Sequence, residues 1–209
     1  MNRYVKISFE IPFYNQRITT ENWQSSGFSS ELEGISWTER GCGIASLRMI
    51  LDGFLLAENK PSCPNQGEMI EKGLAQEAYN PGIGWIHAGL AHMAEEFGIS
   101  AVAYRGKTLT DVANELEQNH PCIISITPRF RGGLVNEETG NIYGKGGHLV
   151  VAYGCTYDET GNLTGFLVHH PSCFLENTLP AYQVDVKPLE ASFSGNFIAF
   201  GMDIPMEMD

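Results

Sequence analysis

The stretch Thr38–Leu51, TERGCGIASLRMIL, decides how this chain is read. Glycines at 41 and 43 flank Cys42, and from Ile44 onward apolar side chains return at three- and four-residue steps: Ile44, Leu47, Ile50 or Leu51, and Phe54. That spacing predicts a helix with one core face and with Cys42 in its first turn. Unpaired N–H groups and the positive end of the helix dipole favour a thiolate there, and the thiolate is the form that attacks carbonyl carbon. The plain alternative is a small, inert thiol opening a buried helix.

A thiolate nucleophile needs an imidazole partner, and KGGHLVVAYG (145–154) supplies one: His148 opens a strand-like apolar run 106 residues downstream. Such partners meet in space rather than in sequence. Gly146 and Gly147 before it carry no side chains that would block a substrate. His170, in FLVHHPS (166–172), ends the next strand, so a hairpin between the two runs would bring both histidines to one sheet edge. Cys42, His148 and His170 are thus the candidate nucleophile, base and orienting group. Standing against this, a histidine at a strand start is often just packed or exposed. His87 and His92 fall within a helix and read as structural, and His169, His170 and Cys173 lack the spacing of a familiar zinc site.

The wider pattern is α+β. Helices are expected over Glu68–Tyr79, Ile86–Phe97 and Asp111–Gln118, the last behind Thr108 or Thr110. Strands are expected over Cys122–Thr127, His148–Tyr153, Gly165–His169, Tyr182–Val186 and Asn196–Met202. Asp158–Asn162 and Asn136–Asn141 read as hairpin turns, and Trp23–Gly34 as a loop inserted before the cysteine helix. Residues 1–209 are read as one domain, helical over about 35–120 and antiparallel sheet over about 121–203, with the cleft at the junction.

Composition narrows the function further. The 209 residues are 43% apolar, and 13 basic against 25 acidic side chains give a net charge of −12 with no basic cluster. Nucleic acid and anionic membrane are therefore not expected as partners. No segment approaches a membrane span and the opening MNRYVKISFEIPFYNQ has no signal-peptide run, which predicts a soluble, cytoplasmic protein. The five cysteines (42, 63, 122, 155, 173) are odd in number and lack CxxC spacing, against a disulfide framework or zinc ribbon. No cofactor and no metal are expected.

Taken together, these segments resemble the bacteriocin-processing, double-glycine leader peptidases and their stand-alone relatives, a branch of the papain-like cysteine peptidase superfamily. IPFYNQ (11–16) is similar to the family's opening, GCGIASLRMIL (41–51) to its nucleophile helix, GGHLVVAYG (146–154) to its base strand, and FLVHHPS to its strand ending in Asp-Pro. GWIHAGLAHMAEEFGISA (84–101) is similar to a helix of stand-alone members, and SFSGNFIAF (192–200) to the closing segment. The resemblance implies a papain-like fold, Cys42 as nucleophile, His148 as base and acid, Gln16 as a side-chain oxyanion donor, and a peptide or protein substrate. The chain departs from the family where His170 replaces Asp, and where the Trp23–Gly34 insertion lengthens the path from Gln16 to Cys42. An imidazole at 170 can accept a hydrogen bond from His148 but brings no fixed charge, with Asp158 and Asp185 as substitute carboxylates. The expectation is a cysteine peptidase or related amide hydrolase acting through an acyl-thioester. The alternatives are a non-catalytic peptide-binding module and acyl transfer to an amine. Trp23–Gly34 and Arg129–Lys145 are expected to shape the cleft.

Overall fold

The computed structural model describes residues 2–202. The cysteine stretch forms a 16-residue helix, Cys42–Ala57, with Gly41 at its N-cap and Cys42 as its first helical residue. Around it lie the other helices of the described residues: α1 (Glu31–Trp37), with Cys42–Ala57 as α2, then α3 (Gln66–Ala75), α4 (His87–Glu95), α5 (Leu109–Glu117) and α6 (Val186–Ser192). Twelve residues of α2 are buried, more than one core face. The sequence predicts a single apolar stripe, whereas the helix is enclosed because α3, α4 and the long strand that begins at His148 all pack on it.

The strands are β1 (Arg3–Lys6), a short ribbon of β2 (Tyr79–Asn80) and β3 (Gly84–Trp85), then β4 (Ser100–Tyr104), β5 (Cys122–Ile126), β6 (His148–Tyr157), β7 (Leu163–His170), β8 (Leu179–Asp185) and β9 (Phe197–Gly201). All but the ribbon join one seven-stranded sheet, ordered β4-β9-β5-β6-β7-β8, with β1 also paired to β6. Every pairing is antiparallel. β6 is the spine: β5 pairs with His148–Ala152, β1 with Gly154–Tyr157, and β7 runs along the other edge. The α+β layout is as the sequence predicts. Both expected hairpin turns form: Asp158 N donates to Asn162 O at 2.9 Å, and Asn136 N to Asn141 O at 2.7 Å.

Five elements differ from the sequence reading. α1 lies in the region read as a loop; Ser30 caps it, its Oγ accepting from Glu33 N at 3.2 Å. Gly34 interrupts its helical pattern, yet a side chain there would press on Ile18. β1 and β4 add strands from the N-terminal half to the sheet, where the sequence reading places none. α3 and α5 begin two residues earlier than expected, because Asn65 and Thr108 form capping boxes with Glu68 and Asp111.

Several contacts hold α2 in place. Asp52, fully buried, accepts from Tyr14 Oη at 2.7 Å and from Cys63 N at 2.6 Å, tying the N-terminal arm and the segment after α2 to the helix. Arg48 lies 4.6 Å over the Tyr14 ring and donates to Pro64 O at 2.9 Å. At the other end, the indole of Trp85 donates to Arg40 O at 2.7 Å, and its ring covers Gly43. A Cβ at 43 would sit 2.6 Å from Trp85 Cγ. Gly43→Ala is therefore expected to destabilise the fold by about 1–3 kcal/mol of overpacking, outweighing the ~1 kcal/mol gain in helix propensity. A lower urea midpoint at unchanged m-value checks this.

Candidate active site

Cys42 is half-buried at the start of α2. The backbone N–H groups of Leu149, Gly43 and Cys42 itself act on its sulfur and favour the thiolate, but burial is the larger effect and pushes the thiol above its ordinary pKa. This corrects the expectation drawn from the helix dipole alone: the site is drier than a helix start in water, and desolvation penalises the anion more than three N–H groups favour it.

His148 opens β6, where the chain leaves the Gly146–Gly147 turn. Both glycines have positive φ, 84° and 96°, so the backbone path, and not merely open space, requires them. Ser192 secures this turn: its carbonyl accepts from Gly146 N at 3.1 Å and from Thr127 N at 3.0 Å, and its hydroxyl accepts from Gly132 N at 2.9 Å. Next to His148, the Leu149 carbonyl accepts from Ser46 Oγ of α2 at 3.2 Å. Helix and strand thus meet beside the two candidate residues.

His148 Nε2 lies 2.9 Å from Pro171 O. A carbonyl can only accept, so Nε2 carries the proton and Nδ1 keeps the lone pair. The antiparallel β6–β7 pairing brings His170 beside it, with ring centroids 4.6 Å apart. His170 Nε2 instead accepts from Arg129 N at 3.4 Å, and its Nδ1 is buried without a hydrogen-bond partner. The partner of the His148 imidazole is therefore the main chain one residue beyond His170. Burial, with His170 adding to it, holds His148 down to about 3; burial also lowers His170 to about 4, helped by the Arg129 charge. The resting pair is a neutral thiol and a neutral imidazole.

Cys42 and His148 line one cavity of about 690 Å³ at the junction of helix and sheet. Trp85 and Tyr79 form one wall; Ser125, the Gly146–Gly147 turn and Ser194 form the other. The sequence reading did not single out Trp85 as a wall, although the glycine at 43 was its trace. Gln16 is buried beside Gly41; its Nε2 donates to Thr38 O at 2.9 Å and its Oε1 has no partner. Asp158 is held in the hairpin at the far end of β6, accepting from Thr160 and Asn162, and Asp185 N-caps α6, so neither carboxylate stands beside His148. His169 spends both nitrogens, one on Ile11 O at 3.0 Å and the other on Ala181 N at 3.0 Å, which excludes it as a metal ligand.

A cysteine-bearing helix packed on an antiparallel sheet, with a histidine at the head of the strand it touches, defines the papain-like cysteine proteinase fold. The chain belongs to the Peptidase_C39 like family, whose family model matches residues 9–192. Among solved structures, it is similar to one described as a C39-like peptidase from Bacillus anthracis, at 17% identity and a TM-score of 0.54 over 95% of this chain and 98% of that one. It is also similar to UfSP from C. elegans, at 13% identity and a TM-score of 0.57, over 95% of this chain and 34% of that one. A double glycine motif protease from an AMS/PCAT transporter, in complex with the leader peptide, matches at 16% identity and a TM-score of 0.46, over 91% of each chain. No curated protein sequence matches the chain. No helix among the described residues is long and apolar enough to cross a membrane.

The lowered histidines contribute to the acid stability. Between roughly pH 6.5, where an unfolded histidine titrates, and the folded values of about 3 and about 4, the unfolded chain binds protons that the native site refuses. Stability should therefore be full above that window and fall as pH drops through it. His170→Asn is expected to flatten the decline of melting temperature between pH 6.5 and 4, checked by thermal melts across that range.

Proposed function

We propose that the protein is a cysteine peptidase in which Cys42 is the nucleophile and His148 the general base and acid. The observation that carries this reading is the shared cavity of the two side chains, with His148 Nε2 engaged on Pro171 O and the lone pair of Nδ1 left free. In the first step Nδ1 takes the thiol proton as sulfur adds to the scissile carbonyl carbon. The amide C–N bond then breaks, and Nδ1 returns the proton to the leaving amine. Water, deprotonated by the same nitrogen, cleaves the acyl-thioester and regenerates the thiol. The Cys42 N–H and the second amide proton of Gln16 are proposed as donors to the oxyanion.

Because the resting pair is neutral, the imidazolium forms only during reaction, and a neutral carbonyl is what meets its second proton. His170 is assigned a positioning role, packing the His148 ring from a site braced by Arg129 N. Peptide is the proposed substrate class, in keeping with the family and with the cleft. A thiol-directed probe should label Cys42 ahead of the other four cysteines, and hydrolysis should vanish in Cys42→Ala; labelling confined to another cysteine would sink the reading.

One observation favours a second reading, a peptide-binding module without turnover: no carboxylate partners His148 among the described residues, and thiol and imidazole are both shifted toward their neutral forms. Peptide affinity unaltered by Cys42→Ala, with no hydrolysis by the parent protein, would select it. For the catalytic reading, His170→Asp should place an anion beside His148, raise the imidazole pKa and increase kcat/KM about tenfold or more. The acid limb of the pH–rate profile should move upward with it, which a purely structural role for residue 170 would not produce.

A further inference from the structure

The chain carries almost twice as many acidic as basic side chains, yet its cleft has the opposite balance. Three of the 13 Lys and Arg residues line it, Arg40, Arg105 and Lys145, against one of the 25 Asp and Glu residues, Glu39. Arg40 is already committed: its guanidinium donates to Ser36 O at 3.0 and 2.6 Å and lies 4.3 Å over the Trp37 ring. Arg105 and Lys145 are exposed and make no ion pair among the described residues.

These two cations stand on one wall. The connection that follows Arg105 is docked on the segment before β9 through Lys107 N and Gly195 O at 2.9 Å, and Gly146, next to Lys145, packs against Ser194 of the same segment. His87 shares that corner: it lines the cleft, its Nε2 is buried with no hydrogen-bond partner among the described residues, and burial followed by the charge of Arg105 lowers its pKa. His87 also opens α4, whose N-cap Ile86 offers no side-chain acceptor, so the positive end of that helix is uncapped at the same place. Glu39, the one acidic lining residue, adjoins Arg40 in the chain, and its charge also reaches Cys173. The lining of the cleft therefore carries an excess of positive charge, and a concave wall strengthens the attraction of cations that have no ion pair among the described residues for an anion.

We propose that this end of the cleft is a carboxylate subsite, in which Arg105 and Lys145 bind an acidic group of the peptide close to the bond that Cys42 attacks. The inference rests on the cleft being the peptide site and specifies the substrate that site prefers. Two sources share the chemistry, an Asp or Glu side chain within the peptide and a free C-terminal carboxylate.

The test is a set of fluorogenic peptides identical except for Glu, Gln or Lys at each position flanking the scissile bond, each made with an acid and an amide C-terminus. The expected result is a kcat/KM about tenfold higher for a Glu peptide than for its Gln twin, what two partly exposed ion pairs supply, shrinking as salt rises. The preference should reverse toward Lys in the double variant Arg105→Glu, Lys145→Glu. If acid and amide termini differ while Glu and Gln do not, the subsite takes a chain end. Equal rates for all peptides by an active enzyme would overturn the subsite and leave the peptidase reading standing. If no peptide is cleaved, the peptidase reading is what fails, and fluorescence anisotropy on Cys42→Ala decides the subsite: tighter binding of Glu than Gln peptides supports it, and equal affinity overturns it.

Discussion

The geometry of this protein depends on how α2 is seated on β6. One residue, Leu149, faces α2 through its main chain: its carbonyl accepts from Ser46 Oγ at 3.2 Å, and its N–H favours the thiolate of Cys42, one turn earlier along the helix. Because α2 is almost wholly enclosed, it cannot slide or rotate without opening the core, and interiors of native density resist such shifts. Cys42 therefore inherits its position from the packing of a helix, and His148 inherits its own from the register of a strand fixed on both edges.

That rigidity has an electrostatic cost. The enclosure that fixes the two side chains also removes much of their water, which pushes the Cys42 thiol up and the His148 imidazole down. In the proposed mechanism the imidazolium forms only at the moment of attack, and its surroundings are a main-chain carbonyl and the ring of His170. The departure from the family pattern at residue 170 leaves the architecture intact, since the strand pairing and the Pro171 carbonyl hold the His148 ring in place without a carboxylate.

Much of this was legible in the chain itself. The periodicity after Cys42, the glycine pair before His148 and the turn residues of Asp158–Asn162 each carry a local physical signal, and the family resemblance follows from their order. What stayed hidden was long-range. Burial of α2 on every side needs the sheet to be present, and no local pattern distinguishes a thiol that will be desolvated from one at a solvated helix end. The acceptor for His148 is a backbone atom, which leaves no mark in side-chain identity, so attention fell on His170 instead. β1 and β4 are strands only because β6 and β9 offer them edges, and α1 contains a glycine that reads as a break until Ile18 is seen against it.

Trp85 combines three attachments: its indole nitrogen is bonded to the residue just before the α2 cap, its ring lies on Gly43, and one face borders the cavity. Trp37 and Tyr79 stand within about 6 Å of it, near enough to exchange excitation. The molecule consequently contains its own optical gauge of occupancy. Intrinsic emission from this aromatic trio should respond when anything settles against the wall, without a dye, a label or turnover.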